Sequence, residues 1–455
     1  RTLSGGLQVE ELRPEFATVN RAHLRLLTGC AMIDAARPPG TFVEYNHLKG
    51  SSMSDSNNRR AALTLSLTVL VVFASLGLGR FGFSMVLPAM QDALGLSNAE
   101  SGQLQSWNSL GYLLFAVGAG ILATKHGPSV VITIALGVVG VAMLATGAFP
   151  TFAAACVGRF FSGAGGAAAN IPAMALLAAW FTGKRRGLAA GCAVGGSSLG
   201  LAATGATVPM ILERGGPDGW RHCWYAFGAG TLIICLLCAL FLRDRPHTLP
   251  SSPDSQTETQ PAIKWTDLLR SGLFWKIAAA YFAFGFSYSI YATFFVKHLV
   301  RDVGLTTAAA GTIWTRIGLA SIISGFVWGA FSDRWGRRMA LVLIFACQAS
   351  AFLIVGLVHG SGPAMVSGVL FACTAWSIPA VVTALCGDAF GARLAPTALG
   401  VLTVAFGVGQ VFGPAIGGIV ADSGGSVAPA FAVAGTAALL LGAGSSLFLP
   451  GRQAA

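Results

Sequence analysis

Gly329-Ala-Phe-Ser-Asp333-Arg334-Trp-Gly336-Arg337-Arg338 closes one apolar run and opens the next. A weaker copy stands earlier in the chain, at a constant offset of 209 residues. Gly95 answers Gly304, Gly102 answers Gly311, Gly120 answers Gly329, Lys125 answers Arg334 and Gly127 answers Gly336. Single glycine matches are easy in a chain with 59 glycines, but one offset held over this many positions, with basic charge kept at Lys125 and Arg334, points to duplication. Two homologous halves of apolar helices are a common plan for membrane carriers.

The composition sets the class. Of 455 residues, 54% are hydrophobic and 10% charged, with a mean hydropathy of +0.68. Soluble domains carry about 25% charge, so this is a polytopic membrane protein. The net charge of +11 sits mostly in short connections between apolar runs and does not signal nucleic-acid binding. The nine cysteines show no metal-site spacing and read as free thiols within apolar segments, as at Cys235 and Cys238. No metal and no cofactor is expected.

Twelve spans are predicted, over residues 62–88, 103–124, 129–148, 152–180, 187–211, 222–242, 273–296, 307–330, 339–358, 364–386, 396–420 and 427–448. Each is long enough to cross about 30 Å of hydrocarbon as a helix. The expected fold is all-α: twelve transmembrane helices in two pseudo-symmetric six-helix bundles, residues 59–242 and 272–449. A polar linker, 243–271, joins them, and 450–455 form a tail. Residues 1–58 are a non-membrane segment; the run after Met53 leads straight into the first helix, so translation is expected to start there, with residues 1–52 an over-extended reading frame or else a cytoplasmic tail. Fifteen basic residues fall on one side of the membrane, among them Arg59, Arg60, Lys184, Arg185, Arg186 and Arg270, against four on the other, Arg214, Arg221, Lys297 and Arg301. This bias places both termini and the linker in the cytoplasm.

The signature stretch resembles the loop between spans 8 and 9 of the major facilitator superfamily, and the resemblance covers Arg59 to about Leu449. Arg159-Phe-Phe-Ser-Gly163-Ala-Gly165 resembles that superfamily's span 4 motif, and Gly409-Gln410-Val-Phe-Gly413-Pro414 a glycine–proline pattern of drug antiporters, here in span 11 rather than span 5. Gly79-Arg80-Phe81-Gly82-Phe83 with Leu87-Pro88 is most similar to the bacterial YbfB/YjiJ branch, and the arrangement is similar to monocarboxylate and oxalate carriers. The resemblance implies a central cavity, alternating access, a monomer in a bacterial cytoplasmic membrane, and a latch of helix ends by Asp333 and Arg334 in the outward-open state. Thr124 stands where the first-half loop should be acidic, which argues against a symmetric latch.

Gly336 lets the signature hairpin turn tightly, and Gly329 is expected to act with it in gating. Arg334, Arg337 and Arg338 face anionic headgroups or fix topology. Gly163, Gly409, Gly413 and Pro414 mark close helix contacts that either slide or simply pack. Three arginines, Arg80, Arg159 and Arg316, fall inside apolar spans, where charge is costly without a partner, and no carboxylate lies near mid-depth. A substrate carboxylate would fit the planar guanidinium fork. Arg80 and Arg316, one from each half, are the candidate anion ligands; Arg159 is expected to be structural or coupling. Tyr281, Tyr288 and Tyr291 are predicted to share one face of span 7, lining a cavity or packing between helices. Asn108, Asn170, Gln410 and Trp376 are weaker candidates.

These features give a secondary transporter of small organic anions, above all monocarboxylates, with a proton as the candidate coupling ion. The alternative is a proton-coupled exporter of drugs or other amphipathic solutes. No catalytic constellation points to an enzyme, and Gly77-Leu-Gly79-Arg-Phe-Gly82 is not a nucleotide loop, since it lies within a membrane helix.

Overall fold

No water is available in hydrocarbon to satisfy free backbone groups, so a spanning chain must close its hydrogen bonds within helices. The computed structural model describes residues 55–181, 184–244 and 265–451; these are helical almost throughout, with no strand among them. All of them belong to one compact unit, Ser54–Ala455. The expectations for residues 1–52 and for most of the linker and tail lie outside the described residues.

Span 1 comprises Asp55–Val72, a π-helical stretch Phe73–Phe81 and Gly82–Leu94. Spans 2 to 6 are Asn98–His126, Pro128–Ala148, Phe152–Trp180, Lys184–Gly215 and Gly219–Phe241. Span 7 is Gly272–Arg301. Span 8 is Thr307–Ser321 with Ser324–Trp335, bent by 40°. Span 9 is Arg337–Leu357, span 10 Ser361–Gly391 and span 11 Leu394–Gly424. Span 12 is Ala428–Ala437 continued by Ala438–Ala443 and Gly444–Leu447. The twelve spans match the sequence expectation; spans 3, 4, 9 and 12 agree with it to within two residues, and the others run further at one end or both.

The repeat is written in the backbone. Gly95 and Gly304 have φ of 61° and 78°, Gly127 and Gly336 of 86° and 92°, and Gly216 and Gly425 of 55° and 68°. Each pair keeps the same offset, and the third extends the repeat beyond the signature loops. At these φ values a Cβ would clash, so the turn geometry selects glycine. The helix starts correspond as well. Ser97 Oγ accepts from Glu100 N at 3.1 Å to open span 2, and Thr306 Oγ1 accepts from Ala309 N at 3.2 Å to open span 8. Each such cap is worth about 1 kcal/mol.

Spans 1–6 pack among themselves, as do spans 7–12, and the halves meet along spans 2 and 11, 5 and 8, and 1 and 7. Lipid gives no hydrophobic drive between helices, so close contact relies on small residues. A Cβ on Gly163 would overlap the Asn108 carbonyl of span 2, and one on Gly409 or Gly413 would overlap the Phe282 or Phe286 carbonyl of span 7. The outer surface is apolar: Val117 is 70% exposed, Ile134 64% and Leu440 65%, which suits a face in contact with acyl chains.

The two ends of the molecule differ. At the end bearing Gly95 and Gly304 the halves are in contact. A Cβ on Gly102 would overlap the Pro414 carbonyl, and one on Gly311 would overlap the Gly205 carbonyl. Subtracting the repeat offset shows these to be the same contact made twice. Arg301 pairs with Asp92, again at equivalent positions of the two halves. At the end bearing Gly127 and Gly336, a Cβ on Gly118, Gly120, Gly187, Gly329 or Gly400 would meet nothing within 4 Å. The last turns of spans 2 and 8 and the first turns of spans 5 and 11 therefore stand apart there, with a residual span 5–span 8 contact at Gly191 and Phe326.

Candidate substrate site and gates

Arg80 sits in the last turn of the π-helical stretch of span 1. Gly77 there lies backbone to backbone against Gly200 of span 5, and the wider turn, a form often found at functional sites, carries Arg80 toward the boundary between the halves. The side chain is 6% exposed. Its Nε donates to Asn108 Oδ1 at 3.4 Å, and its Nη1 donates across the boundary to Gln410 Oε1 of span 11 at 3.1 Å. The guanidinium lies 4.7 Å from the centre of the Tyr112 ring and beside Tyr288. Its Nη2 is buried without a partner. Tyr112 in turn accepts from Asn170 Nδ2 at 3.0 Å, and Asn170 Oδ1 is also buried and unpartnered.

Arg159 has a different setting. It is fully buried; Nη1 donates to Gly79 O and Nη2 to Gln105 Oε1. Phe83 and Trp224 cover the guanidinium, with ring centres at 4.6 and 5.5 Å. Asn108 joins the two arginines, since its Nδ2 donates to the Arg159 carbonyl at 3.1 Å. Among the described residues neither guanidinium pairs with a carboxylate. Arg159 thus ties spans 1, 2 and 4 together, consistent with a structural role. Replacing it with methionine leaves the Gly79 carbonyl and Gln105 without their donor, at about 1–3 kcal/mol each. The expected result is a clearly lower melting temperature in detergent; a melting curve equal to wild type would refute the tie.

Arg316 is placed elsewhere. It is exposed on span 8, on the face that carries Leu319 and Ile323, 53% and 62% exposed. The opposite face meets the rest of the protein: Trp314 packs on Phe295 of span 7, and Ser321 accepts from Trp376 Nε1 at 3.2 Å. The structure does not bring Arg316 to Arg80. Depth in a span is legible from hydropathy, but the face has to be read from the helical phase of Leu319 and Ile323.

The three tyrosines also separate. Tyr281 stacks on Phe406 at 4.9 Å, and Tyr288 on Phe284 at 5.1 Å. Tyr288 further meets Phe81 and Trp376, so rings of both halves join beside Arg80. Tyr291 turns away into the second half, where its hydroxyl bonds Ser367 at 2.8 Å among Phe295, Phe352 and Phe371. It stands about 80° around the helix from Tyr281, too far to share that face. Trp376 Nε1 donates to Ser198 Oγ of span 5 at 2.8 Å, a second polar tie between the halves.

In the signature loop, Arg337 collects the polar contacts. It pairs with Asp333, bonds Ser332 Oγ at 2.6 Å, and reaches Asp388 of span 10 at 2.9 Å. Arg334 lies over the Trp335 ring at 5.2 Å, and Arg338 is exposed. Asp333 and Arg337 are therefore engaged within their own half. In the first half Thr124 Oγ1 turns back to Ile121 O, and the missing acid is supplied from a distance. Asp244, beyond span 6, accepts from Ser129 N and Oγ at 2.9 and 2.7 Å and caps span 3. No local motif marks Asp244, because its partner lies 115 residues away.

Twelve helices in two repeated bundles, with a polar cluster centred between them and the halves in backbone contact through glycines at the Gly95/Gly304 end, define a major facilitator superfamily transporter. The pattern of the family described as "Uncharacterised MFS-type transporter YbfB" matches residues 72–446, and the chain belongs to that family. It is 25% identical over 391 residues to a probable sulfoacetate transporter, SauU, of Cupriavidus necator, covering 81% of this chain and 89% of that one. It is 26% identical to a hexuronate transporter of Bacillus subtilis, covering 79% and 87%. Among solved structures, a mutant of the nucleoside transporter NupG superposes with a TM-score of 0.69 at 13% identity, covering 85% and 100%, and a D-xylose–proton symporter with 0.67 at 14%, covering 85% and 98%. These two establish the fold. The protein is a multi-pass membrane transporter and not an enzyme.

Proposed function

We propose that the protein carries small organic anions, monocarboxylates above all, by alternating access, with Arg80 as the ligand of the anionic group. The observation that carries this reading is a guanidinium deep in the bundle, between the halves, held by amide oxygens, rings and the Tyr288 phenol, with no carboxylate partner among the described residues and no hydrogen bond from Nη2. A carboxylate or sulfonate would satisfy both terminal nitrogens. The relatives support the class: sulfoacetate and hexuronate are both small organic anions. Arg316 has no part in this site. The basic residues assign the Gly127/Gly336 end to the cytoplasm of a bacterial inner membrane, so the arrangement is the inward-open one, with residues 59–242 and 272–449 rocking about the centre. One chain supplies every element, so a monomer suffices.

One feature favours the alternative. Tyr281, Phe284, Tyr288 and Phe406 form a stacked aromatic wall that would suit an amphipathic solute. A melting-temperature screen of purified protein separates the two. A ligand at about 100 times its dissociation constant adds about 2.7 kcal/mol of stability. Small carboxylates and sulfonates are expected to raise the melting temperature and lipophilic cations to leave it unchanged; the reverse pattern would transfer the protein to the drug exporters.

A further inference from the structure

The Gly95/Gly304 end holds a cluster of ionisable groups that the substrate site does not use. Asp422, at the end of span 11, accepts from the backbone amides of Asn98 and Ala99 at 2.8 and 2.9 Å. It thereby caps span 2 of the other half. Lys297 of span 7, 7% exposed, bonds Asn98 Oδ1, and Arg301 pairs with Asp92 of span 1. Next to Lys297 lies His298, 1% exposed. Its Nδ1 is 2.8 Å from Asp302 Oδ2, which also accepts from Val427 N at 3.2 Å. The edge of the ring meets Phe431 of span 12 at 5.4 Å, and Nε2 is buried with no partner.

We propose that the His298–Asp302 pair is a proton-binding site that latches this end of the transporter. With Nδ1–H given to Asp302, a neutral ring leaves Nε2 as a lone pair ready to accept a proton. The charged groups around Lys297 are Asp302 and Arg301 on its own span, Asp92 from span 1 and Asp422 from span 11. From span 12 the ring meets Phe431, and the Val427 amide provides the contact to Asp302. Two cations thus face three carboxylates, and the cluster is one charge negative until the imidazole is protonated. A proton brings it to neutrality while the halves are together. When this end opens, Asp92 and the span 2 cap leave with the first half, and Lys297 and Arg301 then balance Asp302 and Asp422 without the proton. Protonation accordingly favours the closed latch, and its loss as pH rises weakens it. The proton sets the gate.

The reporter is already in the chain. The first amides of a helix have no intrahelical acceptor and exchange quickly unless something holds them. Hydrogen exchange of the peptide containing Asn98 and Ala99, corrected for intrinsic rates, therefore reads the latch in the unmodified, full-length protein in detergent. From pH ~5 to ~7, a range over which imidazoles in general change charge, wild type is expected to lose protection by about tenfold, a typical coupling between two linked equilibria. Asp422→Asn should lose protection at every pH, which verifies the reporter. His298→Gln should give a pH-independent profile, and Asp302→Asn, which retains an oxygen for Val427, should do the same if the first variant folds poorly. A flat wild-type profile, a slope preserved in both variants, or full protection in Asp422→Asn would each overturn the proposal. Because no substrate is involved, the outcome is independent of the anion assignment.

Discussion

A Gly102→Leu transporter is expected to fold, insert and bind substrate, yet to move almost none of it. Gly102 has no room for a side chain because the Pro414 carbonyl of the opposite half already occupies that space. Backbone cannot swing aside as a side-chain tip can, so leucine has to hold spans 2 and 11 apart. Overpacking of this kind costs about 3 kcal/mol, and the cost falls only on the state in which this end is closed. A bias of that size changes the ratio of two conformers by about two orders of magnitude. The protein should accumulate with the Gly95/Gly304 end open, and turnover should fall accordingly. Gly311→Leu should do the same through Gly205, since the contact is the repeat partner of the first. By contrast Gly120→Leu, with open space around it, adds no clash to the inward-open form and should leave its Gly95/Gly304 end closed. Uptake into proteoliposomes, with spin-label distances across the Gly95/Gly304 end, decides the matter. Wild-type uptake by Gly102→Leu with an unchanged closed distance would show that the contact is not a gate.

That contact illustrates how much of this molecule its sequence discloses. The repeat offset and the spans are legible because hydropathy and glycine position are one-dimensional signals. The same signals do not say which glycine meets a backbone and which faces open space: Gly102 and Gly120 look alike in the chain and behave oppositely in the fold. The site follows the same division. Three arginines stand out as costly, but their fates depend on side-chain direction. Arg159 spends both terminal nitrogens on Gly79 and Gln105 of its own half, Arg316 lies on an exposed face with Leu319 and Ile323, and Arg80 alone combines burial, a partner from the other half and a bare terminal nitrogen. The end-capping carboxylates Asp244 and Asp422 escape a sequence reading for another reason. They serve helices far off in the chain, and nothing local marks them.

Arg80→Ala is expected to abolish stabilisation by anions, and Arg80→Lys to weaken anion binding by about 100-fold. An ammonium keeps the charge but presents a point where the guanidinium presents a planar fork, and each hydrogen bond to a charged group is worth about 1.5–3 kcal/mol. The hydrogen bond from Nη1 to Gln410 sharpens this expectation. In the ligand-free arrangement an amide oxygen of the second half already occupies one prong, so an entering carboxylate has to displace it and in doing so breaks a tie between the halves. Gln410→Glu supplies a permanent carboxylate in the same place, nearly isosteric with the amide. It should satisfy Arg80 internally, exclude the substrate anion as strongly as Arg80→Ala does, and raise the melting temperature of the empty protein because a charged pair replaces a neutral acceptor. Gln410→Ala, which frees the prong, should bind anions at least as well as wild type. Titration calorimetry on the four variants, using the best ligand from the anion screen, tests the set. If Arg80→Ala binds that ligand with wild-type affinity, the anion does not sit at Arg80; if only Gln410→Glu does, Arg80 holds the anion but Gln410 does not compete for it.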